Sequence, residues 1–398
     1  MKKAKILVTI FLLSFILTGC WNYHELNDLA ITTGIAIDVK DDKYIVSYMI
    51  ANAKKNESDS NNSEANTVVY KGEGNSISAA YIDLNSKNPK VPYISHLEVI
   101  IISEDAARQG VNKMVDFLMR NPESRKEFYV VLSKNTEASA ILETLSPLEA
   151  FPSENVAKNI VSNQNDQSTI VVEQYSDFIS KILKEGVNPV LSGIEIEGDE
   201  EAGKSEESLK SSTPSSSIKI DTIGIFKDDI LLGWANHNET IGINILNNEV
   251  GSVLLEAKCD DQYMASTLTN VTTSTDIVFE NDIPKVSLKI NAEGALVEIN
   301  CKRNLEDEKV IEEIKKDFEN TLLEIVNSSI NLAQNEYKSD IFGYGDMIHK
   351  NNLQKWKTLK DSWDETTFPN LEFDINVKIS LSSKGSFEQT IMEAKNER

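Results

Sequence analysis

The chain has 398 residues, 40% hydrophobic and 26% charged, enough for two or three domains with real cores, which excludes a disordered tail protein. Its formal net charge of −23 excludes binding to nucleic acid through a basic surface and sets the chain against anionic lipid headgroups. Three cysteines and four scattered histidines, none at finger spacing, cannot assemble a four-ligand structural zinc site by themselves.

The chain opens with Lys2, Lys3 and Lys5, followed by an apolar run from Ile6 to Leu17. A helix of that size spans about 18 Å, well short of a ~30 Å hydrocarbon core, so the run reads as the apolar stretch of a signal peptide over residues 1–19. "LTGC" then places small residues before Cys20, the pattern of a bacterial lipoprotein signal. In that chemistry the Cys20 thiol takes a diacylglyceryl group and cleavage leaves it as the lipidated N-terminus; the alternative is an ordinary secreted chain. Two acyl chains suffice for stable anchoring, at about 0.8 kcal/mol per buried methylene. Loss of the three signal lysines deepens the mature charge from −23 to −26.

"LAITTGIAID" and "YIVSYMIANAK" flank an Asp41-Asp42 turn and read as a hairpin. A polar loop over Asn56–Thr67, a short strand "VVYKGEG" and a helix from Ser76 follow. "HLEVIIIS" is a continuous apolar run, the mark of a strand buried on both faces. Ser103 caps one helix over "EDAARQGVNKMVDFLM", then "EFYVVLSK" gives a strand and "TEASAILETL" a helix, so these two strands are expected to lie parallel. A helix is expected from Ser168 to Gly186, and a strand over "NPVLSGIEIE".

Composition then changes. Residues 198–217, "GDEEAGKSEESLKSSTPSSS" with Ser217 last, carry acid and serine without apolar periodicity and read as a linker. It would separate an N-terminal α+β region (20–197, one or two subdomains) from a C-terminal α+β domain (218–398). Beyond it come a hairpin turning at Asp228-Asp229, strands near Val253–Cys259, Leu268–Thr275 and Val286–Ile290, and "GALVEINC". The longest helix begins near Asn304 and Asp307, with Ile314, Phe318, Leu322 and Ile325 in its apolar stripe. "LQKWKTLKDSW" adds a helix and "LEFDINVKISL" a final alternating strand. The fold class is α+β.

Chemistry-bearing motifs are scarce. The histidines show no spacing that would bring two onto one helix face for a metal, and His96 reads as a structural histidine opening a buried strand. "SSIK" (Ser216–Lys219) matches a Ser-x-x-Lys pattern without its companion motifs. There is no nucleophile elbow or phosphate loop, so no enzyme, cofactor or metal is expected. Cys259 and Cys301 close two strand-like runs; outside the cytoplasm they are either bridged or packed as free thiols.

The run "GCWNYHELNDLAITTGIAID", then "SHLEVIIISEDAARQG" and "DFLMRNPESR", resembles the C-subunit lipoproteins of bacterial spore germinant receptors, the Ger(x)C family. The likeness resumes in "GIFKDDILLGWANHNETIG" and ends in "YKSDIFGYGDMIHK" and "WKTLKDSWDETTFPNLEFDINVKISL". It implies a three-domain α+β protein without enzymatic activity. It also implies a lipid anchor at Cys20 on the outer face of the spore inner membrane, and membrane-embedded A and B subunits as partners. "DFLMRNPESR" and "SDIFGYGD" carry the family look without an assigned ligand role, and read as packing and turns. Two other roles compete: a lipid-anchored solute-binding protein for uptake, and an envelope hydrolase. The strand-like Ile218–Trp234 region is one segment that could provide partner surface, with its buried face left open by the sequence.

Overall fold

The computed structural model describes residues 25, 28–52, 65–120 and 125–383. The signal peptide, Cys20, most of the polar 56–67 loop and Pro122 lie outside the described residues. Among those described, two sheets form, both mixed with helices.

The first sheet begins with β1 (Leu29–Lys40), β2 (Lys43–Ala51) and β3 (Thr67–Gly74), antiparallel neighbours turning at Asp41 and Asp42, both with positive φ. Helix α1 (Ile77–Lys87) starts at Ser76, whose side chain accepts the Ala79 N–H. Strand β4 (Val91–Tyr93) runs parallel beside the start of β1, pairing Leu29 with Val91. Strand β5 (Val99–Ser103) follows, then α2 (Glu104–Arg108) and α3 (Asn112–Met119). The single helix expected over this stretch is two, because Gly110 adopts φ +97° between them. Strand β6 (Tyr129–Ser133), α4 (Ala138–Glu143), α5 (Pro152–Asp166) and α6 (Tyr175–Leu183) lead to β7 (Val190–Gly198).

The central strands β1, β5, β6 and β7 pair in parallel. Their alternate side chains feed opposite cores: Ile100 and Ile102 pack with Leu84, Met114 and Phe178, while Val99 and Ile101 pack with Ile141, Val156 and Ile160. This burial on two faces explains the unbroken apolar run of β5. At the end of β1, Asp38 is buried and its carboxylate accepts the Ala138 and Ser139 N–H groups at 2.7 and 3.0 Å, capping α4.

Residues 198–217 do not leave this sheet. They hold α7 (Glu200–Gly203) and a 3-10 turn (Glu206–Lys210), and join β7 to β8 (Ser216–Lys227), its antiparallel neighbour. Strand β9 (Ile230–Ala235) closes the edge, giving the order β3-β2-β1-β5-β6-β7-β8-β9 with β4 beside β1. In the Ile218–Trp234 hairpin Ile223, Ile225, Phe226 and Leu231 are buried in the core, while Ile230 at the turn is 45% exposed.

Helix α8 (His237–Asn247) opens with a capping box between Asn236 and Glu239. The second sheet, β10 (Ser252–Cys259), β11 (Gln262–Glu280), β12 (Ile283–Ile299) and β13 (Glu372–Ser383), runs in that order. The Val286–Ile290 segment and "GALVEI" of "GALVEINC" are one strand of 17 residues, with Asn300 and Cys301 just past its end. Between β12 and its parallel partner β13 stand α9 (Glu308–Asn331), α10 (Tyr344–Asn351) and α11 (Leu353–Leu359). Phe318 and Leu322 of α9 pack against Leu255, Leu288 and Ile290 on one sheet face, and the other face alternates into solvent. Asp307 caps α9 by accepting the Lys309 N–H.

Candidate functional site at the junction of the two sheets

The segment from Tyr337 to Trp363 returns to the first sheet and knots onto it around Asp340. That residue is fully buried and its carboxylate takes five donors. Oδ1 accepts the N–H groups of Phe342, Gly343 and Tyr344 at 3.2, 2.9 and 3.3 Å. Oδ2 accepts the Gly345 N–H at 2.8 Å and the Trp363 indole at 3.0 Å. A carboxylate before a helix start can satisfy donors that lack an intrahelical partner, and the first turn of α10 uses it so. Burial pushes the Asp340 carboxyl up to about 7 and nearby Asp364 adds to this, against the pull of the N–H donors.

Backbone contacts complete the knot. The Asp340 carbonyl accepts the Asn188 N–H at 2.8 Å, and the Asn188 side chain accepts the Asp228 N–H at 2.8 Å. Ser339 Oγ donates to the Phe226 carbonyl at 2.5 Å, and the Asp346 N–H reaches the Gly186 carbonyl at 2.9 Å. Gly186, at φ +78°, lies so close to Gly345 that a Cβ there would stand 2.5 Å from the Gly345 carbonyl carbon. On the sheet edge, the Tyr337 hydroxyl accepts the Trp234 N–H at 3.1 Å and donates to the Trp234 carbonyl at 3.2 Å. It thereby ends β9 as a pairing edge.

A second seam runs along residues 168–174, where the sequence pattern suggests helix. Helix α6 starts only at Tyr175, because the preceding backbone is engaged sideways. Ser192 Oγ accepts the Val171 N–H and donates to the Val171 carbonyl, at 2.9 and 2.7 Å. The Asn244 amide donates to the Ser168 and Ile170 carbonyls, both at 2.7 Å. At its end Glu173 is buried and ion-paired with Lys181. Burial raises the Glu173 carboxyl to about 7, with Glu249 and Asp177 adding to the shift and Lys181 opposing it. Glu249 is raised as well, by burial first. Oε2 of each finds no hydrogen-bond partner among the described residues.

Residues 22–196 match the family model described as "Spore germination protein N-terminal domain", and residues 221–385 match "Spore germination B3/ GerAC like, C-terminal". The chain belongs to the GerAC-type spore germination proteins. Over 393 residues it is 26% identical to Spore germination protein KC of Bacillus subtilis (strain 168), covering 96% of each chain. Spore germination protein B3 of the same strain is 22% identical over 386 residues, covering 95% of this chain and 98% of its own. A solved structure, "Crystal Structure of the GerBC protein", superposes with a TM-score of 0.53 at 20% identity, covering 88% of this chain and 97% of that one, and so shares the fold.

GerAC-type germination proteins are not a family of enzymes. Among the described residues no group of three or more His, Cys, Asp or Glu is placed to hold a metal ion. Ser216 of "SSIK" is buried against Gly203, and Lys219 pairs with Asp221 and Glu197, so no nucleophile is assembled. His96 is exposed beside Tyr93, three residues before β5, and does not stand in the buried strand. Cys259 and Cys301 are bridged, with Cα atoms 5.9 Å apart, at the end of β10 and just past β12. Sequence reasoning took "SDIFGYGD" for a turn, which Gly343 makes at φ +74°, but gave Asp340 no role. An acid three to five residues ahead of a Gly-x-Gly helix start was the available signal.

Proposed function

We propose that this chain is a non-enzymatic, lipid-anchored C-type subunit of a spore germinant receptor. Acyl chains on Cys20 hold it on the outer face of the spore inner membrane, where it assembles with membrane-embedded A and B subunits and serves the response of dormant spores to nutrients. One observation carries the reading: the family match begins at residue 22, directly after a basic start, a short apolar run and the "LTGC" cysteine. No helix among the described residues is long and apolar enough to cross a membrane, which fits an anchor supplied by lipid. The knot around Asp340 and the seam at 168–174 make the two sheets a firm body on such a tether.

The test is Cys20→Ala in the full-length gene. Loss of the protein from spore membranes, together with slowed germination to one class of nutrient, is the expected result. Full membrane retention with normal germination overturns the anchor. Affinity purification from spore membranes is expected to bring down multi-spanning subunits; failure of vegetative solute uptake in a deletion strain, with germination intact, would favour solute capture.

A further inference from the structure

Helices α1 and α3 do not close against each other along their length. Between them runs a cleft of about 710 Å³, lined by Tyr44, Tyr81 and Phe117, by Val91 at one end, and by Lys113 and Arg120. The Tyr81 ring lies 5.7 Å from Phe117 and 5.8 Å from Tyr48, so the floor is aromatic and continuous with the core. Ile82 and Met119 sit one helical turn from the lining residues Ser78 and Asp116, and are 68% and 48% exposed; Val91 is 40% exposed. Apolar side chains gathered around an aromatic groove mark a docking surface more than scattered exposure does.

Charge and position narrow the occupant. On a chain of net charge −23, this cleft presents cations. Lys113 has no ion-pair partner among the described residues; its ammonium meets Tyr44, 3.4 Å from the hydroxyl and 5.8 Å from the ring centroid. Arg120 holds Asp116 in an exposed i,i+4 pair, which a partner's carboxylate can replace at little cost. Val91 lies beside the first strand that follows the anchor cysteine in the chain. Val91 pairs with Leu29, and from Cys20 to Asp28 the chain can span at most about 28 Å. Loops of a membrane protein on the extracytoplasmic side are poor in Lys and Arg, so such a segment brings little positive charge of its own against Lys113 and Arg120.

We propose that the α1–α3 cleft is the docking site for an apolar, acidic extracytoplasmic segment of a membrane-embedded partner. This rests on the lipid-anchored assembly argued above. It also gives "DFLMRNPESR" a use, since Phe117 and Arg120 belong to it.

The experiment places a photo-reactive benzoylphenylalanine at Ile82 or Met119 of the full-length, lipidated chain in spore membranes, with Val278 on β11 as the control. Sites 82 and 119 are expected to crosslink to a sequenced peptide from an extracytoplasmic loop of a multi-spanning protein, and site 278 is not. Lys113→Glu combined with Arg120→Glu is expected to cut recovery of that protein at least about ten-fold, with membrane retention and melting temperature unchanged. Crosslinks to lipid alone, equal crosslinking from site 278, or undiminished recovery with the reversed charges each overturn the cleft. If the unaltered chain retrieves no multi-spanning protein at all, the assembly itself falls, and the cleft with it.

Discussion

The two sheets solve burial differently. In the first, the parallel strands β5 and β6 are covered on both faces, and polar backbone is satisfied by buried side chains such as Asp38, Ser192 and Asn244. In the second, β10 and β12 alternate buried and exposed residues, one face on α9 and one in water, and a disulfide fixes the edge. A sheet buried on both faces depends on a few polar residues that cannot be replaced one at a time. A half-solvated sheet spreads its stability over repeated apolar contacts. Asp340 belongs to the second sheet's connecting helices yet serves the first, so the sharpest test of the contrast lies there.

Asp340→Ala leaves four backbone N–H groups and an indole without their acceptor. It is expected to cost about 3–5 kcal/mol and to loosen loop 184–189 first, measured by denaturant unfolding with hydrogen exchange. Retained protection at Asn188 and Asp228 would break the claim that this carboxylate holds in place the segment whose backbone carbonyl at Asp340 ties to Asn188. Next in size, Cys301→Ala opens a loop with a sequence separation of 42, worth about 4 kcal/mol by chain entropy and less in practice. Exchange should accelerate in β10 and the end of β12, while β5 and β6 remain protected; equal acceleration in both sheets would erase the contrast.

The same contrast sorts what could be read from sequence. The hairpin turns at Asp41-Asp42 and Asp228-Asp229, the α9 stripe and the alternating β13 are local patterns, and all are present. So is the continuous run of β5. Other features were invisible. The 168–174 segment has a helix-compatible pattern, but hydrogen bonds from Ser192 and Asn244, distant in sequence, hold it extended. Helix α5 hides in a polar stretch whose buried side chains include Ser153, Val156 and Ile160. Composition marks 198–217 as a boundary, and the family matches also part there, at 196 and 221, yet β7 and β8 pair straight across it. Strand pairing is decided by partners, not by the loop between them.

A smaller effect is expected at Gly233, where a Cβ would stand 2.3 Å from the Tyr337 hydroxyl. Gly233→Ala must displace that ring, at about 1–3 kcal/mol, whereas Tyr337→Phe removes only the hydroxyl tie, at about 1 kcal/mol. Thermal melts separate the two. An Ala variant no weaker than the Phe variant would mean that the edge of β9 does not need this cap.

The smallest effect is one of slope. The Glu173 and Glu249 carboxyls are raised by burial, so the folded chain holds protons that the unfolded chain releases from the ordinary carboxylate range near 4.5 upward. Where the native state binds more protons, stability falls as pH rises, here across the window from 4.5 to about 7 for Glu173. Glu173→Gln keeps the shape and removes the titration, and should flatten the fall in melting temperature over that window. Leu254→Gln, on the solvated face of β10, should leave the slope as it is. If both variants track the native chain, the Glu173–Lys181 pair stays ionised through neutrality, and the seam of the first sheet is no more sensitive to protons than the exposed face of the second.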